Sequence, residues 1–278
     1  MRATTILLRE PSRKGRWPWL AFAFLAWVAA LVCVPWLLAG QDPAAQDLAQ
    51  RLQPPSPIHL FGTDALGRDL FSRVVHGARA SLVTAVVALV FSFGLSLLIG
   101  LTAGFLGGRV DRVLMAIIDV LLALPSLLLS LLIVSGLGTG PVHLGLAVGL
   151  ASVPAFARVT RAEVLRISTQ PFVEAAAGYG LSRWRILLRH ILPHARTPLL
   201  TLGALELATM VLSVSALSFL GYGTRPPDPE WGNLIAEGRE HFATAWWLTT
   251  LPGLVLAGVV LALHRVARAS GLSGAGLA

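Results

Sequence analysis

Few side chains in this 278-residue sequence are of types that carry out chemistry, and their spacing limits what that chemistry can be. Asp119 and Glu206 stand inside long apolar runs, where an acid could line a solute path or relay protons. Asp119 follows Arg112 by seven residues, about 10 Å along a helix. A structural pair of these two competes on equal terms with a transport role. His190 and His194 are four apart, a spacing that could present both rings to a metal from one helix face. Pro193 intervenes and no acidic or thiolate ligand is close by, so the pair reads as part of a basic loop and no metal site is expected. Neither H-E-x-x-H nor G-x-S-x-G occurs. The only lysine is Lys14, in a short tail without the preceding strand and glycine-rich turn that a phosphate-cradling loop needs. No enzymatic activity is expected of the chain itself.

What must position these residues follows from composition. Charged residues make up 13% of the sequence and hydrophobic ones 55%. A soluble domain carries about 25% charged residues, so half the usual solvated surface is missing, and the mean hydropathy is +0.73. Cys33 stands alone, which excludes a disulfide scaffold. A net charge of +8 in a soluble chain would suggest nucleic acid. Here the basic residues fall between apolar runs, so membrane topology accounts for them and no nucleic acid is expected.

Six runs are apolar and long enough to cross a bilayer, which takes about 20 residues: 17–39, 80–106, 113–137, 141–157, 197–220 and 242–263. Backbone groups in hydrocarbon must pair within their own segment, so these are helices in contact with lipid. The fourth, at 17 residues, is the shortest. The first could be a signal peptide, since five basic residues precede it, but it exceeds the usual apolar core of such a peptide and reads as an uncleaved helix. With residues 1–16 inside, the inner segments hold 16 Lys and Arg and the outer ones 6, while eight acids lie outside. That bias places both termini, 1–16 and 269–278, in the cytoplasm. Trp17, Trp19, Trp36, Trp246 and Trp247 sit near span ends, as interfacial aromatics do. Gly100, Gly104 and Gly108, and likewise Gly145 and Gly149, recur at i, i+4 and predict close helix packing.

The outer segment 40–79 and the inner segment 158–196 are too short for a domain of their own. In the inner one, Pro171 suits a helix first turn, and a short helix follows over 172–177. Gly178 and Gly180 allow a turn with positive φ. Ser182 is placed to cap a second helix running to Leu192, which Pro193 ends. A small helix hung between two supports could plug a groove in another protein or merely connect; the residues alone leave both open.

The run Glu174-Ala175-Ala176, then Gly180, then Leu192-Pro193, resembles the EAA loop of ABC importer permeases, with His190 where the family has Ile. Ahead of the second span, Gly62-Thr63-Asp64, Gly67-Arg68-Asp69, Arg73 and Gly77-Ala78-Arg79 are similar to the second, C-type permease of the dipeptide, oligopeptide and nickel group. Leu217-Ser218-Phe219-Leu220-Gly221 with Pro227, Pro229, Trp231 and Gly232 matches the same group, though Val214 replaces an acid often found there and Glu206 lies two turns earlier. The resemblance covers about residues 17–268 and implies an all-α integral membrane fold of the type I importer kind, with six transmembrane helices and a cytoplasmic coupling-helix loop over 158–196. It implies a permease subunit that forms half of a path for peptides or a related solute such as chelated nickel, in the bacterial inner membrane. Its implied partners are a second homologous permease making a heterodimer, two ATP-binding subunits that hold the ATP and Mg, an extracytoplasmic solute-binding protein, and membrane lipids. Phe172, Glu174, Ala175, Ala176, Gly180, Leu192 and Pro193 would then carry the docking of the ATP-binding subunit. The rival reading is a self-sufficient secondary carrier or channel that uses Asp119 and Glu206.

Overall fold

A computed structural model describes residues 39–271 and, ahead of them, residues 23–26, 28, 29 and 35. Most of the first expected span and most of both tails therefore lie outside the described residues. Regular structure among the described residues is helical, apart from one isolated bridge between Thr63 and Asp69. Eight helices frame the site: α1 Leu70–Leu106, α2 Gly108–Leu122, α3 Ser126–Leu137, α4 Pro141–Ser168, α5 Pro171–Gly178, α6 Arg183–Phe219, α7 Trp231–Gly238 and α8 Trp247–Gly271. Four of them (α1, α4, α6 and α8) are long and apolar enough to cross a membrane, and a fifth crossing results if α2 and α3 count as one.

The second, fourth and fifth spans lie within α1, α4 and α6, each of which runs beyond the apolar stretch. Asp69 starts α1 ten residues before Arg79 ends the charged stretch, its carboxylate accepting from Ser72 N at 2.7 Å. At 37 residues α1 is about 55 Å long, well over the ~30 Å hydrocarbon core, so it carries Arg73 and Arg79 out of the membrane. The third expected span departs from expectation. It is two helices crossing at 93°, because Pro125 has no N–H to continue the ladder and keeps Leu124 out of helical geometry. The sixth begins at Trp247, five residues later than expected, since Thr244 and Ala245 turn back onto the carbonyl of His241.

Close packing of α1 on α4 follows from the glycines. A Cβ added at Gly100 would lie 2.5 Å from Thr160 Cβ, one at Gly104 2.9 Å from Val164, and one at Gly149 2.8 Å from the Ala88 carbonyl. Gly108 plays no part in this contact; with φ of 57° it helps turn the chain from α1 into α2. Two apolar clusters result. The larger joins α1, α4, α6, α7 and α8 around Trp231; the smaller sits at the other end, beneath α5.

Candidate functional site

The hairpin that joins α4 to α6 is built on two anchors. Val173 and Ala176, three apart and so on one face of α5, are buried in the smaller cluster with Val164, Ile167, Ile186 and Ile191. The rest of α5 is exposed, including Phe172, Glu174 and Ala175, as are Tyr179 and Gly180 after it. Phe172 stacks on His194 with ring centroids 4.6 Å apart, and Trp184 tilts over Phe105 of α1 at 5.9 Å. Gly180 has φ of 78°, whereas Gly178 ends the helix with an ordinary φ, so one glycine and not two makes the turn. Ser182 precedes α6 in extended geometry, as its sequence position suggested, without a side-chain cap bond.

Pro193 does not end this helix. Residues Leu187–Ile191 widen into a π turn, and Leu192 N donates to the Leu187 carbonyl five residues back. The wider turn removes the ladder position that a proline cannot fill, and α6 runs on through Leu192 and Pro193 into the membrane. His194 Nδ1 donates to the His190 carbonyl at 2.6 Å, so this ring serves packing and helix geometry.

At the other end of α1, the stretch that precedes the second expected span gathers into one network. Asp64 Oδ1 accepts from the backbone N–H groups of Leu66 at 2.8 Å and Arg68 at 3.0 Å. Its Oδ2 accepts from Arg68 Nε at 2.6 Å and Arg73 Nη1 at 2.7 Å. Glu237 of α7 completes the set, with Oε2 2.6 Å from Arg73 Nη1 and 3.2 Å from Arg68 Nη2. Gly62 and Gly67 have φ of 77° and 74°, and a Cβ at Gly67 would lie 1.7 Å from the Asp47 carbonyl, so the loop closes only with glycine there. The Thr63 N–H donates to the Gln53 carbonyl at 3.0 Å. Asp69, besides capping α1, pairs with His59 Nδ1 at 2.9 Å. Arg79 is exposed and stands apart from the network. Asp64, Arg68, Arg73, Glu237, Leu234 and Leu248 line a cleft of about 420 Å³. Sequence reasoning missed Glu237, which lies 164 residues from Arg73 and carries no local signal.

Beside this cleft Glu230 is buried at the start of α7, with Oε1 3.3 Å from Ser81 Oγ, and burial pushes its carboxyl above the ordinary glutamate range. Trp231 N donates to the same Ser81 Oγ at 3.1 Å, and Trp231 Nε1 donates to the Val74 carbonyl at 2.9 Å.

Of the two acids within spans, Asp119 pairs with Arg158 of α4 and not with Arg112, whose Nε reaches back to the Gly108 carbonyl at 3.4 Å. Axial distance explains the difference: seven residues set Asp119 and Arg112 on nearly the same face but about 10 Å apart along α2, whereas α4 packs alongside. A second pair, Asp111 with Arg161, links the same two helices. Glu206 is half-buried on α6. Val214 is buried eight residues on, about 12 Å along the helix, so the two stand at different levels of α6.

Residues 96–270 match the family described as binding-protein-dependent transport system inner membrane component. The chain is 39% identical over 257 residues to the di/tripeptide transport system permease protein DppC of Pseudomonas aeruginosa, covering 90% of this chain and 84% of that one. It is 37% identical over 226 residues to the probable D,D-dipeptide transport system permease protein DdpC of Escherichia coli, covering 81% and 76%. The glutathione transport system permease protein GsiD of Pectobacterium atrosepticum is 36% identical over 210 residues, 76% of this chain and 70% of that one. Among solved structures, an inward-facing form of the MetNI methionine ABC transporter overlays with a TM-score of 0.57 at 19% identity, covering 71% of this chain and 96% of that one, which is a likeness of fold. With more than half of its residues matched, and with relatives alike along most of their length, the chain belongs to the inner-membrane components of binding-protein-dependent transport systems.

Proposed function

We propose that this chain forms half of the translocation path of an ATP-driven importer for di- or oligopeptides, or a related small solute such as chelated nickel. The names of its relatives and the sequence motifs of the outer loop support peptides first. The other half is a second permease of like fold, so the membrane unit is a heterodimer. Two ATP-binding subunits, which hold the ATP and Mg, dock on the cytoplasmic hairpin, and a solute-binding protein delivers cargo on the outer face. The excess of Lys and Arg on the inner segments supports cytoplasmic termini.

The observation that carries the coupling role is the form of α5. It is fastened by the buried Val173 and Ala176 and by the stacking of Phe172 on His194, and presents the rest of its surface to solvent, the form of a helix seated in a groove of another protein. Glu174, Ala175 and Phe172 lie on that surface, Gly180 sets the return, and Leu192 with Pro193 fixes the entry of α6 into the membrane. A push on α5 moves the cluster beneath it and so biases the bundle between two packings. The rival carrier reading, which uses Asp119 and Glu206, is left, among the described residues, with Glu206 as its unpaired acid, since Asp119 is paired with Arg158.

The test is Glu174→Lys in the complete transporter, reconstituted with its partner subunits. ATP-dependent uptake should fall by about tenfold or more, as expected when a partner must desolvate an unmatched charge, while the chain stays in the membrane. Normal uptake with full recovery of the ATP-binding subunits would refute the docking assignment.

A further inference from the structure

The ring of His59 is held at both nitrogens, and the partners on each side fix what the ring must carry. Nδ1 lies 2.9 Å from Asp69 Oδ1 and Nε2 2.7 Å from Gln50 Oε1, with the His59 side chain 12% and that of Asp69 6% exposed. The Gln50 amide has one orientation open to it. Its Nε2 donates to Asp47 Oδ2 at 2.9 Å, and a carboxylate only accepts, so Oε1 is the atom turned toward the ring. A carbonyl oxygen also only accepts, and His59 Nε2 must donate to it. On the other side Asp69 is an acceptor twice over, since its Oδ2 takes the Ser72 N–H at 2.7 Å at the start of α1. Both ring nitrogens therefore carry protons in this arrangement, and His59 is an imidazolium between two acceptors. Of the other titratable groups on the surrounding elements, His76 Nδ1 donates to the Ser72 carbonyl at 2.9 Å, Asp64, Arg68 and Arg73 are bonded through one another and Glu237, and Arg51 is exposed.

A ring that gives up one proton turns a lone pair toward an oxygen at one end. The bond to Asp69 is the charge-assisted one, so the Gln50 end is lost. The Gln50 amide cannot turn over to meet the lone pair without setting its own oxygen against Asp47. Gln50 belongs to the turn Leu48–Gln50, which Asp47 caps by accepting from Ala49 N at 3.0 Å. The Asp47 carbonyl sits where a Cβ on Gly67 would come within 1.7 Å of it. The turn thus backs the loop that carries Asp64 and Arg68, one wall of the cleft.

We propose that His59 is a proton-operated clasp: doubly protonated, it ties the turn Leu48–Gln50 to the start of α1, and loss of one proton frees the turn and loosens the cleft wall. The clasp is whole in acid and opens as pH rises through the range in which imidazole gives up a proton. It stands independently of the importer reading above.

The experiment is amide hydrogen exchange on the complete transporter at about pH 5.5 and about pH 8.5, below and above the ordinary histidine range, corrected for the intrinsic rate and read in peptides covering residues 48–53. Within them the Gln50 N–H donates to the Asp47 carbonyl, the Leu52 N–H to the Asp64 carbonyl and the Gln53 N–H to Thr63 Oγ1. Protection there should fall about tenfold at the higher pH, the worth of one hydrogen bond. In Asp47→Asn the new amide can donate, so the Gln50 amide turns over and gives its own N–H to a neutral ring; the fall should shrink below about twofold with His59 untouched. Asp69→Asn does the same from the other side and keeps an oxygen for the Ser72 N–H. His76→Gln should leave the fall in place. Equal protection at the two pH values in the unaltered chain overturns the clasp. A full fall in either Asp47→Asn or Asp69→Asn, or its loss in His76→Gln, overturns it as well by assigning the pH dependence to another group.

Discussion

Arg73 gives the sharpest test of how the cleft at the start of α1 is held. The side chain is 1% exposed and its Nη1 serves two acids at once, Asp64 Oδ2 at 2.7 Å and Glu237 Oε2 at 2.6 Å. Replacing it by methionine keeps much of the chain length and removes the charge. Asp64 is not orphaned by the change, because Arg68 Nε and two backbone N–H groups still reach it. The loss there is one charge-assisted bond, about 1.5–3 kcal/mol. It falls short of the ~3–5 kcal/mol of a buried ion stripped of every partner. Glu237 is 35% exposed, so water screens its arm, and that part contributes under ~1 kcal/mol. Arg73→Met should therefore destabilise by about 2–4 kcal/mol, and Glu237→Gln by about 1 kcal/mol or less. At about 2–4 °C per kcal/mol for a chain of this size, the first lowers the melting midpoint by roughly 4–15 °C and the second by a few degrees. Tryptophan fluorescence of the purified complex during heating reads this directly, since Trp247 Nε1 lies 3.4 Å from the Thr63 carbonyl and Trp231 packs against α1. Equal shifts for the two variants, or none for Arg73→Met, would refute the claim that the buried arm through Asp64 dominates.

Two further outcomes follow from the packing and from the buried acid. Gly100→Ala sets a Cβ 2.5 Å from Thr160 Cβ and 2.8 Å from the Ala157 carbonyl, and should cost about 1–3 kcal/mol as overpacking. Thr160→Gly removes the Cβ contact and that with Thr160 Cγ2 at 2.7 Å but leaves the carbonyl clash, so the double variant recovers part of the loss in thermal unfolding, and Thr160→Ala, which keeps the Cβ, recovers less. Glu230 binds its proton more tightly folded than unfolded, because burial raises its pKa. The folded state therefore holds more protons, and stability is greatest below the ordinary glutamate range and falls as pH rises from that range through the folded value. Glu230→Gln should flatten that part of the profile in melts taken across acidic to neutral pH, and an unchanged slope would assign it to other groups.

The helical class, the glycine contacts and the hairpin between α4 and α6 are legible in the sequence because each rests on local pattern. Pro171, the Ala175-Ala176 pair and Gly180 specify helix, flat face and turn within ten residues. What stayed hidden depends on pairing across the fold. Arg73 stands in the sequence as one basic residue of the stretch ahead of the second span, yet it is buried because Asp64 and the distant Glu237 both meet it. Asp119 looked able to reach Arg112 along its own helix, yet the partner comes from α4. From the sequence, Pro125 sits within one continuous expected span and Pro193 at an expected helix end. One turns the chain by 93°, while the other is absorbed by a π turn, and the deciding bond is the one from Leu192 to Leu187, which no propensity scale records.

These differences also say which parts move together. Where Gly100, Gly104 and Gly149 bring α1 and α4 into backbone contact, no side chain can yield, and interfaces so packed shift as units. That pair extends from the Arg73 network at one end to Phe105 and Val164, beside the α5 anchors, at the other. By contrast α2 buries only Ile118 and is fastened to α4 by its ion pairs. Charge pairs can exchange partners where packed glycines cannot. The seam between α2 and the α1–α4 body is thus held by ion pairs more than by buried side chains, and the exposed Asp119 and Arg158 lie on it.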